Sequence, residues 1–164
     1  MDGVWLSVRL LVLLGVANVA PLLARRLFGS RWQAPLDGGM RFVDGRPLLG
    51  PSKTLRGVVA AVILSALCAP VVGIPMELGA LIGALAMAGD ALSSFVKRRL
   101  GIAPSAEAIG LDQLPESLLP LLAVQGALSL TPLQVAGVTA VFVAFGIPLA
   151  RVVRRIRLRR KQPR

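Results

Sequence analysis

The 164-residue chain is 55% hydrophobic, 16% charged and 4% aromatic, with a mean hydropathy of +0.73, whereas soluble domains are about a quarter charged. These proportions argue against a water-soluble domain and for a chain that lives in a membrane. The formal charge of +11 would suggest nucleic acid if it were spread over a soluble surface, but it clusters between apolar runs, so no nucleic-acid partner is expected.

The chain reads as a single all-α integral membrane domain over residues 1–164, with five transmembrane helices and two functional cytoplasmic loops. Apolar runs lie at about 4–24, 57–75, 77–95, 111–131 and 133–150, near the roughly 20 residues that a helical span requires. The first run carries no acidic residue or small-residue cleavage site and continues to Arg25-Arg26, so it is read as a retained span. Arg9, inside its outer end, is expected to snorkel to the interface. The fourth run reaches spanning length only by starting near Leu111, with Asp112 in its first turn.

Orientation follows from the cations. Residues 25–56 hold seven Lys and Arg, 96–116 hold three and the tail 151–164 holds eight, while the opposite connections hold none. The positive-inside rule then places the N-terminus outside and the C-terminus in the cytoplasm, as in a multi-pass protein of the cell (inner) membrane. The outer turns, around Gly73-Ile74-Pro75 and Thr131-Pro132, are minimal, so chemistry is expected on the cytoplasmic side. The basic tail is expected to fix topology and attract anionic lipid.

The first cytoplasmic loop reads Pro35-Leu36-Asp37-Gly38-Gly39, then Asp44-Gly45-Arg46-Pro47-Leu48-Leu49-Gly50-Pro51-Ser52-Lys53-Thr54-Leu55-Arg56-Gly57. Its glycines allow backbone amides to approach phosphate oxygens, Arg46, Lys53 and Arg56 bring charge, and Ser52 and Thr54 bring hydroxyls. It resembles a phosphate cradle, although turn residues carrying topological charge would look alike. It is not a Walker A loop, because Pro51 follows Gly50 where that motif needs lysine.

Asp90 lies within the third span, about 10 Å of helix from Lys97. A carboxylate at that depth is costly and marks a functional site unless it serves a structural ion pair. Helical spacing places Asp90, Ser94 and Lys97 on one face with Ser93 beside them, and Gly83 and Ala86 continue that face. Asp112 and Glu116 flank Pro115 at the start of the fourth span, where they suit either helix capping or a metal site. If the third and fourth spans are neighbours, Asp90 and Asp112 would converge, and a divalent cation would relieve their repulsion.

The absences narrow the chemistry. There is no histidine or tyrosine, and Cys68 is the lone cysteine. His-based triads, His-ligated metals, disulfides within the chain and thiolate clusters are therefore excluded. Cys68 itself is expected to pack as a small hydrophobe. Carboxylates for a metal, cations for phosphates and no usual proton-transfer residue together fit phosphoryl or nucleotidyl transfer.

These motifs, with Ala17-Asn18-Val19-Ala20-Pro21, Gly89-Asp90, Ser94-Phe95-Val96-Lys97-Arg98-Arg99 and Leu111-Asp112-Gln113-Leu114, occur in one order over residues 17 to about 117. Together they resemble the CDP-archaeol synthase family, which is related to CDP-diacylglycerol synthases. The resemblance implies a five-helix, Mg²⁺-dependent membrane enzyme that joins CTP to a lipid phosphate and releases pyrophosphate. It implies Asp90 and Asp112 as metal carboxylates, Lys97 and Arg98 as phosphate-holding cations, and catalytic roles for Asp90, Asp112 and Lys97. Asp44, Arg46, Ser52, Lys53, Thr54 and Arg56 match the segment around nucleotide and phosphates, with Ser94 beside the basic pair. Asn18 and Asp37 match polar positions of unassigned role.

The chain departs from the family pattern at Pro115, where a second aspartate is typical, and Glu116 is expected to replace it as a metal ligand. Leu49 and Leu55 stand where aromatic residues are expected. A homodimer is compatible with the sequence. A non-catalytic transporter or assembly subunit, with Asp90 as an ion-coupling or structural charge, is the alternative. A CDP-alcohol transferase would need several aspartates along one helix, and the third span has only Asp90.

Overall fold

The computed structural model describes residues 3–102 and 110–160, with side chains through residue 146. Five helices follow in order: α1 (Gly3–Phe28), α2 (Leu55–Cys68), α3 (Met76–Arg99), α4 (Gln113–Val124) and α5 (Pro132–Arg160), with a single 3-10 turn at Pro70–Val72 after α2. No strand occurs among the described residues. Two isolated bridges, Pro35 with Thr54 and Arg41 with Pro47, tie loop 29–54 to itself.

Three segments are long and apolar enough to cross a membrane: Gly3–Phe28, Leu55–Val72 and Met76–Arg99. The chain is therefore a multi-pass membrane protein. α5 begins with the apolar stretch Pro132–Gly146, and its helix continues into the basic tail as far as Arg160.

The fourth predicted span is corrected. In place of a span over 111–131 the chain forms a 12-residue helix, Gln113–Val124, roughly 18 Å long against about 30 Å of hydrocarbon. The apolar run continues past Val124, but Gln125 and Gly126 interrupt the helix. Gln125 turns its side-chain amide onto the Leu130 carbonyl at 3.2 Å, and Ser129 takes a left-handed φ of 52°. Residues 125–129 become turns that lead directly to α5.

Apolar burial alone gives little drive between helices in lipid, so small residues that let backbones meet decide the packing. On α3, a Cβ at Gly79 would come 2.3 Å from the Ala69 Cβ, and one at Gly83 would come 2.6 Å from the Ala61 carbonyl oxygen. Both lie against the α2 segment. At Gly89 the neighbour is α4, with the Pro115 carbonyl oxygen 2.2 Å from where a Cβ would stand. Small residues on two sides of α3 thus dock it against two helices, Gly79 and Gly83 on the predicted face and Gly89 roughly 120° round the helix from Gly83.

Leu10, Leu13 and Leu14 of α1 meet Ile82, Leu121, Val124 and Val138 in the principal core. Cys68 packs at the edge of this cluster as a free thiol. Near the end of α1 away from the loop, the Arg9 guanidinium lies 6.0 Å from the Trp5 ring and against Gly73.

Candidate active site

Loop 29–54 lies over the basic end of α3, and its shape is dictated by Asp37. That side chain is buried at 5% exposure. One carboxylate oxygen accepts the Gly39 amide at 3.0 Å, and the other accepts Leu49 at 2.8 Å and Gly50 at 3.3 Å. Gly38, Gly39, Gly45 and Gly50 all have positive φ, which allows so tight a fold. Desolvation works to raise the Asp37 pKa, but the Leu49, Gly39 and Gly50 amides outweigh it and hold the carboxyl below its ordinary value of 3.8.

The sign of this linkage gives a prediction. A depressed carboxyl pKa contributes stability that is present above the unfolded value and is lost as pH falls through the folded value. Protection of the Gly39, Leu49 and Gly50 amides against hydrogen exchange, corrected for intrinsic rates, should therefore hold at neutral pH and decline below pH 3.8. Asp37→Asn should lose about 10- to 100-fold of that protection at neutral pH, since hydrogen bonds to a charged group contribute roughly 1.5–3 kcal/mol. Equal protection in both proteins would refute the clamp.

The loop then delivers Lys53 to α3, where its ammonium forms an ion pair with Asp90. Both side chains are partly buried, at 19% and 24% exposure. A second pair stands further along the same helix, with the Lys97 ammonium 2.9 Å from one Asp112 oxygen and 3.0 Å from the other. Between the pairs lies Glu116, buried in the first turn of α4. Its carboxyl group lies close to that of Asp90, with Lys53 and Asp112 also within electrostatic range. Glu116 feels Asp90 more strongly than it feels Asp112, which is itself paired with Lys97. Two bare carboxylates this close repel, so Glu116 and Asp90 call for a shared proton or a cation.

The placement of α4 explains this proximity. The missing Cβ of Gly89 lets the Pro115–Glu116 backbone lie directly on α3. The Ser93 hydroxyl, donating within 2.9 Å of both the Gly89 and Leu111 carbonyls, holds the approach to α4 in register. Sequence spacing placed Ser93 beside the polar face without indicating this role. The α3–α4 contact is what makes it legible.

The other predicted site residues divide into two groups. Ser52, Lys53, Thr54 and Asp90 line a shallow, solvent-open cleft, with Pro21, Leu36, Val58 and Met87 as its apolar wall. Ser94 and Arg98 are buried on the same helix as Asp90 and Lys97. Thr54 and the remaining residues are also engaged in holding the fold. Thr54 caps α2 by accepting the Gly57 amide at 3.3 Å, and Asn18 donates to the Leu14 carbonyl of its own helix at 3.2 Å. Arg56 holds the Gly29 and Arg31 carbonyls after α1. Asp44 binds Arg99 at 2.6 Å, and Arg46 caps the end of α3 on the Arg98 and Arg99 carbonyls at 3.2 and 2.8 Å.

A family model described as CarS-like, CDP-archaeol synthase, matches residues 6–82 and 72–153. The chain belongs to the CDP-archaeol synthase family. A CDP-archaeol synthase of Hyperthermus butylicus is 43% identical over 110 residues, covering 60% of this chain and 59% of that protein. One of Methanopyrus kandleri is 42% identical over 120 residues, covering 69% and 68%. The aligned region thus spans about six-tenths of the Hyperthermus protein. A solved structure of an intramembrane enzyme for archaeal membrane lipid biosynthesis superposes with a TM-score of 0.73 at 31% identity, covering 87% of this chain and 90% of that one.

Hard oxygen donors suit Mg²⁺, which commonly takes one or two protein carboxylates together with substrate phosphates. Asp90 and Glu116 supply such a pair, and their mutual repulsion is one that a cation would relieve. Among the described residues no group of three acids forms a ready-made cage. The donor set therefore fits a cation shared with phosphates.

Proposed function

We propose that the chain is a CTP-dependent cytidylyltransferase that converts a membrane lipid phosphate, of archaetidic type or phosphatidic acid, into a CDP-activated lipid with release of pyrophosphate. The observation that carries this reading is the alternation Lys53, Asp90, Glu116, Asp112, Lys97 along α3 and the start of α4, covered by loop 29–54. Family membership supports CTP as the nucleotide and a membrane lipid phosphate as the acceptor.

The lipid phosphate monoester acts as nucleophile. Its second pKa lies near 6, so it is largely dianionic at neutral pH and a histidine base is dispensable. A phosphate oxygen forms a bond to the α-phosphorus of CTP as the bond to the bridging oxygen breaks, and pyrophosphate takes that electron pair. Lys53, Lys97 and Arg98 oppose the charge on the transferring and leaving phosphates, and the small-residue docking of α3 keeps them in place before substrate arrives. Asp90 and Glu116, with Asp112 nearby, would hold Mg²⁺. When bound, that ion supplies charge neutralisation at phosphate oxygens.

The cleft has a polar side formed by Ser52, Lys53, Thr54 and Asp90 and an apolar side formed by Pro21, Val58 and Met87. This division suits a lipid phosphate whose head meets the loop while its tails stay in the inner leaflet. The reading places the loop and the C-terminus in the cytoplasm, in agreement with the positive-inside count.

The test is pyrophosphate release by the purified protein in mixed micelles with Mg²⁺, comparing CTP, ATP, GTP and UTP against archaetidic-type and diacyl phosphatidic acids. Release that requires CTP and a lipid phosphate is expected, and the preferred lipid names the tail chemistry. A folded protein that releases none with any pair would overturn the reading in favour of a non-catalytic membrane protein.

A further inference from the structure

The contact most distant from the acidic pair, yet tied to it, lies at the last turn of α3. The Arg99 guanidinium donates to Asp44 at 2.6 Å and to the Pro47 carbonyl at 2.7 Å. It also lies 4.6 Å from the Phe42 ring centroid and 5.1 Å from that of Phe95, and these two rings meet edge to face. Arg46 returns the grip from the loop by capping the Arg98 and Arg99 carbonyls. Two arginines thus lock one turn of the loop onto the end of α3.

A short chain of bonds leads from this lock toward Lys53. The Leu48 amide donates to the Met40 carbonyl at 2.9 Å, the Leu49 and Gly50 amides donate to Asp37, and the Leu36 amide donates to the Lys53 carbonyl at 2.8 Å. The loop is therefore fixed to α3 at two points, Arg99 and Asp90, about 13 Å apart along the helix. With the Arg99 point released, the Lys53 backbone keeps its bonds to Leu36 and Gly50 and the Thr54 cap of α2, but the loop that carries the Leu36 and Gly50 bonds loses its second anchor on α3. Arginine suits the lock because one planar fork serves a carboxylate, a carbonyl and two aromatic faces at once.

We infer that Arg99 is a positioning residue for the reaction, setting through the Asp44–Pro47 turn where loop 29–54 presents Lys53 to Asp90. This inference rests on the cytidylyl-transfer reading.

The test compares Arg99→Gln, Asp44→Asn and the double variant, with steady-state kinetics, thermal melting and hydrogen exchange on each. Arg99→Gln should lower kcat about tenfold or more, with KM for CTP changed less than about threefold, because small displacements of positioned groups appear mainly in turnover. The double variant should lose no more than the worse single one, since both break the same contact. The Leu36 amide should exchange faster in Arg99→Gln, at an unchanged melting temperature. An unchanged kcat, losses that multiply in the double variant, or an unchanged Leu36 amide would each overturn the inference. If Arg99→Gln does not fold, Asp44→Asn carries the same kinetic and exchange comparison. A wild-type protein inert with every nucleotide would overturn the cytidylyl-transfer reading itself, and the two failures are thereby told apart.

Discussion

Asp90→Asn is expected to abolish turnover, by about 100-fold or more, while leaving a folded, monodisperse protein in detergent. The amide keeps the shape of the carboxylate and removes its charge. Two opposing changes then occur in the fold. Lys53 loses its ionic partner, which destabilises a partly buried ammonium. Glu116 loses a neighbouring carboxylate, which relieves the crowding of acids at the α3–α4 contact. The melting temperature should therefore move little.

Activity has no such compensation. A single donor or charge aimed at a developing anion is worth about 100- to 1,000-fold, and Asp90 both orients Lys53 and forms half of the acidic pair. Pyrophosphate release with saturating CTP and lipid phosphate, measured beside the melting curve, reads both effects. Turnover at the wild-type rate would show that Asp90 is a structural charge, as in the non-catalytic alternative. Asp112→Asn is the informative companion, because Asp112 pairs with Lys97 and leaves the Lys53–Asp90 contact in place.

Much of this architecture is legible in the sequence because a membrane imposes long apolar runs and cationic loops. Four of the five predicted helices, the polar face of α3 and the loop that contributes Lys53 follow from periodicity and charge. The fourth helix did not follow, because hydropathy reads Leu128 and Leu130 as a continuation of the run. The fold instead uses Gln125 and the left-handed Ser129 to close a turn. Asp37, Asp44, Arg46 and Arg56 illustrate a second limit. Composition marks them as polar residues in a phosphate-suited loop but cannot distinguish a side chain that meets substrate from one that bonds to backbone. Only the folded loop shows that Asp37 binds three amides and Arg46 two carbonyls. Arg99 was visible as a charge following Lys97 and Arg98, yet its partners lie more than 50 residues away.

Gly89 should prove as sensitive as the acids, although it bears no chemistry. A methyl group there would stand 2.2 Å from the Pro115 carbonyl oxygen, 2.4 Å from its carbon and 2.7 Å from the Glu116 nitrogen. All three are backbone atoms, so no side chain can swing aside and the start of α4 must move. Overpacking of this kind costs roughly 1–3 kcal/mol. A displacement of about 1 Å at a reacting centre costs on the order of 100-fold in rate. Gly89→Ala is therefore expected to lower the melting temperature modestly and turnover by about 100-fold, because the shift falls on Glu116 where it faces Asp90. Gly83→Ala separates the two effects. Its methyl would meet the Ala61 carbonyl on the α2 side at 2.6 Å, so it should destabilise the bundle with a smaller loss of turnover at temperatures where it remains folded. Equal losses of turnover per degree of melting in the two variants would mean that α3 needs small residues only for stability. A Gly89→Ala protein with full activity would mean that the α3–α4 contact does not set the acidic pair.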